Sequence, residues 1–325
     1  MKIRKIISGA GLVFIGLPVV LVLTGLVWLR ILNRTNGSII SSGQRREYLL
    51  YVPSSYDRTK PTPLVISMHG AAGWPAQQMN VSRWNRLADE HGFIVVYPSG
   101  SGTPRIWHVE EGTGLTRDAT FISDLVDTLE TAYNIDPARI YANGLSNGGG
   151  MSFVLSCAMA NRIAAVGMVA AAQTLPWSWC KEPRPVPMIA FHGTADPIVP
   201  YDGGVPSSSF APSRFAPDSK PYPSIPDWTT NWAQRNRCDA TPVETQVTAN
   251  VTRTAYAGCA EGADVVLYTV RGGGHSWPGG KPLPKWLVGT TSREIDATAL
   301  MWEFFCAHPL RTAETEVNHV ETAHP

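Results

Sequence analysis

The chain has 325 residues, enough for one sizeable α/β domain with appendages. Its formal net charge is +1, charged residues make up 16% of it, and no basic stripe or zinc-finger spacing occurs, which argues against a nucleic-acid partner. H-E-x-x-H is absent, no G-x-G-x-x-G follows a strand-like run, and there is no Walker lysine, so neither a metal nor a cofactor is expected.

In chain order, residues 1–5 form a basic tip with Lys2, Arg4 and Lys5. Residues 6–29 follow as an uncharged apolar span, interrupted by Pro18 and ended by Arg30 and Arg34. At about 1.5 Å per residue such a span crosses a hydrocarbon core of roughly 30 Å. It exceeds the usual signal-peptide core of about 7–15 residues, and no A-x-A-like site follows. The pattern predicts a transmembrane signal anchor in the lipid bilayer, with the tip cytoplasmic and the rest of the chain outside. Cleavage of the span and secretion is the alternative. Residues 30–46 read as a linker and residues 309–325 as a polar tail, leaving residues 47–308 as the main domain.

Within that domain, residues 47–52 read as a first strand stopped by Pro53, and residues 64–68 as a buried strand. Residues 81–91 place Val81, Trp84, Leu87 and Ala88 on one helical face, capped by Gly92. Residues 93–97 are the next strand. Residues 118–133 carry Phe121, Ile122, Leu125, Val126, Leu129 and Tyr133 on one face, with Asp118 as N-cap. Strands follow at 140–142, 164–171, 188–191 and 265–270, with helices at 151–159 and 293–307. Alternation of this kind predicts a mostly parallel sheet with helices on both faces. Residues 203–226 are rich in proline and serine and hold Phe210, Phe215 and Tyr222. They read either as a lid or binding loop or as a surface insertion.

The chemistry concentrates in four places. Gly144-Leu145-Ser146-Asn147-Gly148 has the strand, sharp turn and helix context of a nucleophile elbow. Phe191-His192-Gly193-Thr194-Ala195-Asp196 and Gly272-Gly273-Gly274-His275 follow, so the order is Ser, Asp, His. A serine hydroxyl needs an imidazole to take its proton, and the imidazole needs a carboxylate to hold its tautomer. Ser146, His275 and Asp196 fill these roles, with Asp202 and Asp227 as alternative acids. An oxyanion hole would draw one amide from Asn147 and one from the turn His69-Gly70-Ala71-Ala72-Gly73, from Ala71 or, alternatively, Gly70. His69 is expected to orient that turn rather than act in chemistry. Trp74, Trp107 and Trp277 lie near these loops in sequence and are candidate walls of an acyl pocket.

These motifs, with Tyr133-Asn134-Ile135-Asp136-Pro137-Ala138-Arg139-Ile140-Tyr141 and Ser276-Trp277-Pro278-Gly279-Gly280, resemble the esterase/polyhydroxybutyrate depolymerase family, which includes feruloyl esterases. The resemblance covers nearly all of residues 47–308. It implies an α/β-hydrolase fold, preceded here by the transmembrane helix, and a serine carboxylic-ester hydrolase working through an acyl-enzyme. It does not choose between feruloyl, hydroxyalkanoate and related short esters. Ala71 and Ala72 stand where many relatives carry a cysteine-and-glycine type of turn, a difference a backbone donor does not feel. Related esterases often have a bridge like Cys238–Cys259. Cys157–Cys180 is the candidate for a second, which leaves Cys306 expected as a buried thiol. A serine peptidase of the same fold, or a catalytically silent membrane-tethered binding module, are the competing readings.

Overall fold

In the computed structural model, β3 (Thr62–Met68) and β4 (Ile94–Pro98) are buried along their whole length, as strands covered on both faces must be. The structure describes residues 34–310 apart from 174, 181–183 and 208–220. The apolar span at 6–29, its tip, Phe210, Phe215 and the tail 311–325 lie outside the described residues. Among the described residues no helix is long and apolar enough to cross a membrane.

One ten-stranded sheet runs in the order β1-β2-β4-β3-β5-β6-β7-β10-β9-β8. Its centre is parallel: β4, β3, β5 (Ile135–Leu145), β6 (Ala165–Val169), β7 (Met188–Gly193) and β10 (Val265–Val270). Antiparallel hairpins close both edges, β1 (Gly37–Ser41) with β2 (Gln44–Tyr51), and β8 (Val243–Thr248) with β9 (Val251–Tyr256). The sheet is therefore mixed, with the expected parallel arrangement confined to its middle. The two-residue period of a strand splits β3 between two cores. Leu64, Ile66 and Met68 pack with Phe121, Phe153 and Trp232 on one face, and Val65 packs with Trp84, Phe93 and Phe305 on the other.

Among the described residues the α-helices are α1 (Pro75–Ser82), α2 (Trp84–His91), α3 (Thr113–Ala132), α4 (Asn147–Ala158), α5 (Ile225–Arg235), α6 (Lys285–Val288) and α7 (Ala297–Ala307). Three sequence expectations change here. Residues 37–46 of the expected 30–46 linker belong to the β1–β2 hairpin. The helix expected at 81–91 is broken at Arg83, whose φ of 61° ends α1 and starts α2. The break lets Trp84 enter the core, where its indole donates to Asn143 Oδ1 at 3.1 Å. Asp118 does not cap a helix. It lies inside α3, where its carboxylate meets Arg46 Nη2 at 2.8 Å, both side chains being nearly buried at 2% and 6% exposure. The guanidinium also stacks 4.0 Å above the Phe121 ring.

Removing one member of a buried ion pair strands the other without its partner. Arg46→Met should therefore lower stability by about 3–5 kcal/mol. Urea unfolding at pH 7 measures this, and a loss below about 1 kcal/mol would place the pair among surface bridges of little consequence.

Disulfides join Cys238 to Cys259, the bridge the family resemblance implies, and Cys157 to Cys180, the candidate second pair. Cys306 is a free thiol on an exposed position of α7, not a buried one. At the end of α4, Arg184 donates to the carbonyls of Ala160 and Ile163, each at 2.6 Å, and Arg235 donates to that of Ser156 at 3.3 Å. A cation suits the Ser156 carbonyl, which lies in the last turn of the helix, while Arg184 satisfies carbonyls of the turn that follows it.

Candidate active site

The loops that follow β3, β5, β7 and β10 leave from the carboxyl edge of the parallel centre, where folds of this kind hold ligands. Ser146 stands directly between β5 and α4 with φ 55° and ψ −121°. A non-glycine residue rarely holds that backbone, and its occurrence here marks stored strain at the turn. Gly148 permits the turn to sit against β3, since a Cβ there would collide with the Met68 carbonyl. Ser146 is half-buried, and its amide donates to Val169 O at 2.8 Å, which ties the elbow to β6.

Asp196 and His275 meet. Nδ1 of His275 lies 2.8 Å from Asp196 Oδ2, and both residues are buried. A carboxylate only accepts, so Nδ1 carries the proton and Nε2 is the nitrogen left to face a reacting group. The other carboxylate oxygen, Oδ1, accepts from the amides of Ile198 at 2.8 Å and Val199 at 2.9 Å. Burial pushes the Asp196 carboxyl upward, but the charge on His275 and hydrogen bonds from His192 and His275 outweigh it. The net result is a carboxyl well below the ordinary range. The His275 amide donates to Val288 O at 2.6 Å, anchoring its loop to α6. Asp202 and Asp227 are exposed, and Asp227 lies in the first turn of α5, so neither alternative acid approaches the imidazole as Asp196 does. Ser146 and His275 are not hydrogen-bonded to each other. Catalytic hydrogen bonds are often long without substrate and tighten when it binds.

His192 is a member of this cluster that sequence reasoning passed over. Its Nε2 donates to Val199 O at 2.9 Å and lies 3.4 Å from Asp196 Oδ2. Its spacing of four residues before Asp196, on the last residues of β7, was the available signal.

On the other side of Ser146, the β3 turn approaches closely: a Cβ built on Gly70 would lie 3.4 Å from Ser146 Cβ. The amides of Ala72 and Gly73 are taken by Arg105 O at 2.7 Å and Gly70 O at 3.0 Å. The Ala71 amide donates to no carbonyl among the described residues. Asn147 begins α4, so its amide is one of the donors a helix start leaves without an intrahelical acceptor. The Asn147 side chain grips the Trp107 backbone twice, accepting from N–H at 2.7 Å and donating to C=O at 2.9 Å.

His69 holds the turn as expected of it. Gly100 N–H donates to its Nε2 at 2.9 Å, so Nδ1–H is the donor to Gly70 O at 2.7 Å. Burial lowers its pKa to about 4, with the Gly70 hydrogen bond opposing that shift. A base with a depressed folded pKa takes up its proton first in the unfolded chain. Its stability contribution is thus full above about pH 6.5 and is lost as pH falls towards 4. His69→Gln should remove a pH-linked loss on the order of 3 kcal/mol over that window. Urea midpoints of both proteins at pH 7 and 4.5 measure it, and parallel pH slopes would refute it. Asp196, whose folded pKa is depressed as an acid, loses its contribution only below about pH 4, outside this window.

Two of the three tryptophans are not where proximity in sequence put them. Trp107 is 1% exposed, with its indole donating to His69 O at 3.1 Å. Trp277 is also 1% exposed and donates to Thr298 Oγ1 at 2.8 Å, on α7. Both are packing side chains that fix site loops from behind, which corrects the expectation that they wall a pocket. Trp74 is half-buried at the end of the β3 turn. Among the described residues no cluster of histidine, cysteine or acidic side chains has the arrangement of a metal site.

Comparison with known proteins places the chain among esterases. Residues 46–174 match the family model described as Esterase PHB depolymerase. The chain is 30% identical over 234 residues to a bifunctional acetylxylan esterase/xylanase of Neocallimastix patriciarum, covering 72% of this chain and 31% of that protein. It is 28% identical over 279 residues to feruloyl esterase C of Emericella nidulans, covering 84% of this chain and 87% of that one. An acetyl xylan esterase structure from Aspergillus awamori superposes with a TM-score of 0.60 at 16% identity, over 83% of this chain and 98% of the other. That likeness is one of fold.

Proposed function

Because this chain belongs to the esterase/polyhydroxybutyrate depolymerase family, we propose that it is a serine carboxylesterase working through an acyl-enzyme. The observation that carries the reading is the buried 2.8 Å hydrogen bond between His275 and Asp196, at the same sheet edge as the strained Ser146 elbow. Ser146 Oγ attacks the ester carbonyl as His275 Nε2 takes its proton. Asp196 holds the ring tautomer and stabilises the imidazolium. The amides of Asn147 and Ala71 (or Gly70) receive the oxyanion. His275 returns the proton to the leaving alcohol, and water then repeats the sequence on the acyl-enzyme.

The names of the relatives make feruloyl esters and acetylated xylan the first substrates to try, and the family description puts hydroxyalkanoate oligomers next. Two disulfides suit an oxidising compartment outside the cytoplasm. The domain would be tethered there by residues 6–29 or released after their removal.

Labelling with a fluorophosphonate, followed by peptide mapping, tests the serine. Modification at Ser146, together with hydrolysis of methyl ferulate, p-nitrophenyl acetate or acetylated xylose, is the expected result. Labelling without ester turnover but with cleavage of a peptide amide would favour a peptidase. No labelling at all would favour a silent binding module.

A further inference from the structure

The loop between β4 and α3 carries an imidazole that the triad does not use. Asn147, the chain neighbour of Ser146, holds both polar backbone atoms of Trp107, so His108 begins one peptide bond from a segment fixed against the nucleophile turn. The next anchor is Asp118 in α3. Its Oδ2 accepts the His108 backbone N–H at 2.9 Å and bonds ring Nδ1 at 2.8 Å. Its Oδ1 side is held by Arg46 Nη2 at 2.8 Å. The Cδ2 edge of the ring lies against Gly114, where a Cβ would collide with it. Two neighbours thus set the ring, and both act on the half of it nearest the backbone or the buried carboxylate. The His108 side chain is nevertheless 41% exposed, against 2% for Asp118.

We propose that His108 is a specificity-determining residue of this site, whose Nε2 accepts a hydrogen bond from a hydroxyl group of the ester substrate. The inference rests on the ester-hydrolase reading above and narrows its substrate class to hydroxyl-bearing esters. The chemistry follows from the anchoring. With Nδ1–H given to the carboxylate, the neutral ring presents Nε2 as an acceptor, and the partner of an acceptor is an O–H or N–H donor. Arg46 already answers the charge of Asp118, so the carboxylate serves to fix the ring's tautomer and angle. An imidazole fixed by a buried partner loses less conformational entropy on binding than a loose surface side chain. A hydroxyl can reach Nε2 from either part of an ester, from a phenolic acyl group or from a polyol leaving group.

Two matched substrate pairs separate those sources. Methyl ferulate against methyl 3,4-dimethoxycinnamate removes the donor from the acyl side. 2-Hydroxyethyl acetate against 2-methoxyethyl acetate removes it from the alcohol side. Initial rates at pH 8 give kcat and KM for the full-length wild type, His108→Phe and His108→Gln. The wild type should prefer the hydroxyl member of one pair by on the order of tenfold in kcat/KM, carried mostly by KM. His108→Phe should abolish that preference, and His108→Gln, which keeps an acceptor, should restore part of it. A purely structural role for His108 would change both members of each pair alike. Equal effects on both members overturn the proposal, as does a wild type that turns over all four esters without preference, or a preference that survives in both variants. Each of these leaves the ester-hydrolase reading standing. A wild type inert towards all four overturns both.

Discussion

Ser146→Ala should lower kcat towards any ester by about a million-fold while leaving the fold intact, the scale seen when the nucleophile of a triad is removed. The size follows from the role proposed for the residue rather than from what it touches. Without Oγ no acyl-enzyme forms, and His275 and Asp196 have no proton to move. What persists is binding together with the oxyanion donors, which still exceeds reaction in water. Alanine suits the test because it removes one atom from a half-buried side chain whose hydroxyl makes no hydrogen bond among the described residues. The backbone at residue 146 stays at φ 55°, a conformation serine and alanine find equally unfavourable, so stability should move little. Active-site titration with a fluorophosphonate, paired with circular dichroism, separates lost chemistry from lost fold. Retention of more than about a thousandth of the activity, with contamination controlled, would remove Ser146 from the role of nucleophile.

The parts of this molecule that were legible in the sequence share a physical cause. β3, β7 and β10 lie in the middle of a sheet covered on both faces, so they read as unbroken apolar runs that end where the chemistry begins. The elbow was legible because its geometry admits so few residues: Gly148 faces the Met68 carbonyl, and the glycine identity is written in the chain. The β8–β9 hairpin was invisible for the opposite reason. All but the last residue of β8 are exposed, and its Val-Glu-Thr-Gln-Val-Thr run buries no face that a two-residue period could announce. The β1–β2 hairpin read as a polar linker because only five residues make its first strand.

Asp118 shows a different limit. An aspartate before an apolar-periodic run looks like an N-cap, and only the fold discloses that Arg46, far earlier in the chain, lies beside it. Trp107 and Trp277 were judged by nearness in sequence to the triad and its loops. Sequence gives neighbourhood but not side-chain direction, and each indole N–H found its partner on the packed side of its loop.

Asp196→Asn should reduce kcat by on the order of ten-thousand-fold near pH 7, with protein stability changed much less than activity. The argument turns on which way the new amide faces. Oδ1 of Asp196 accepts two backbone donors, Ile198 N–H at 2.8 Å and Val199 N–H at 2.9 Å. Those donors require an oxygen, so the asparagine carbonyl must occupy that place and the amide NH₂ must take the position of Oδ2. There it confronts His275 Nδ1 as a donor where an acceptor stood. The ring can answer only by placing its lone pair on Nδ1 and its proton on Nε2. That tautomer has no base to offer Ser146, and a cationic ring would have no carboxylate to stabilise it. His192 sharpens the prediction, because its Nε2 also lies 3.4 Å from the same atom and, as a donor to Val199 O, cannot supply the missing acceptor. Fluorophosphonate labelling rates for wild type and Asp196→Asn, measured between pH 6 and 9, read the nucleophile directly without dependence on the substrate. A loss smaller than about tenfold across that range would show that the carboxylate serves packing, and that another acid orients His275.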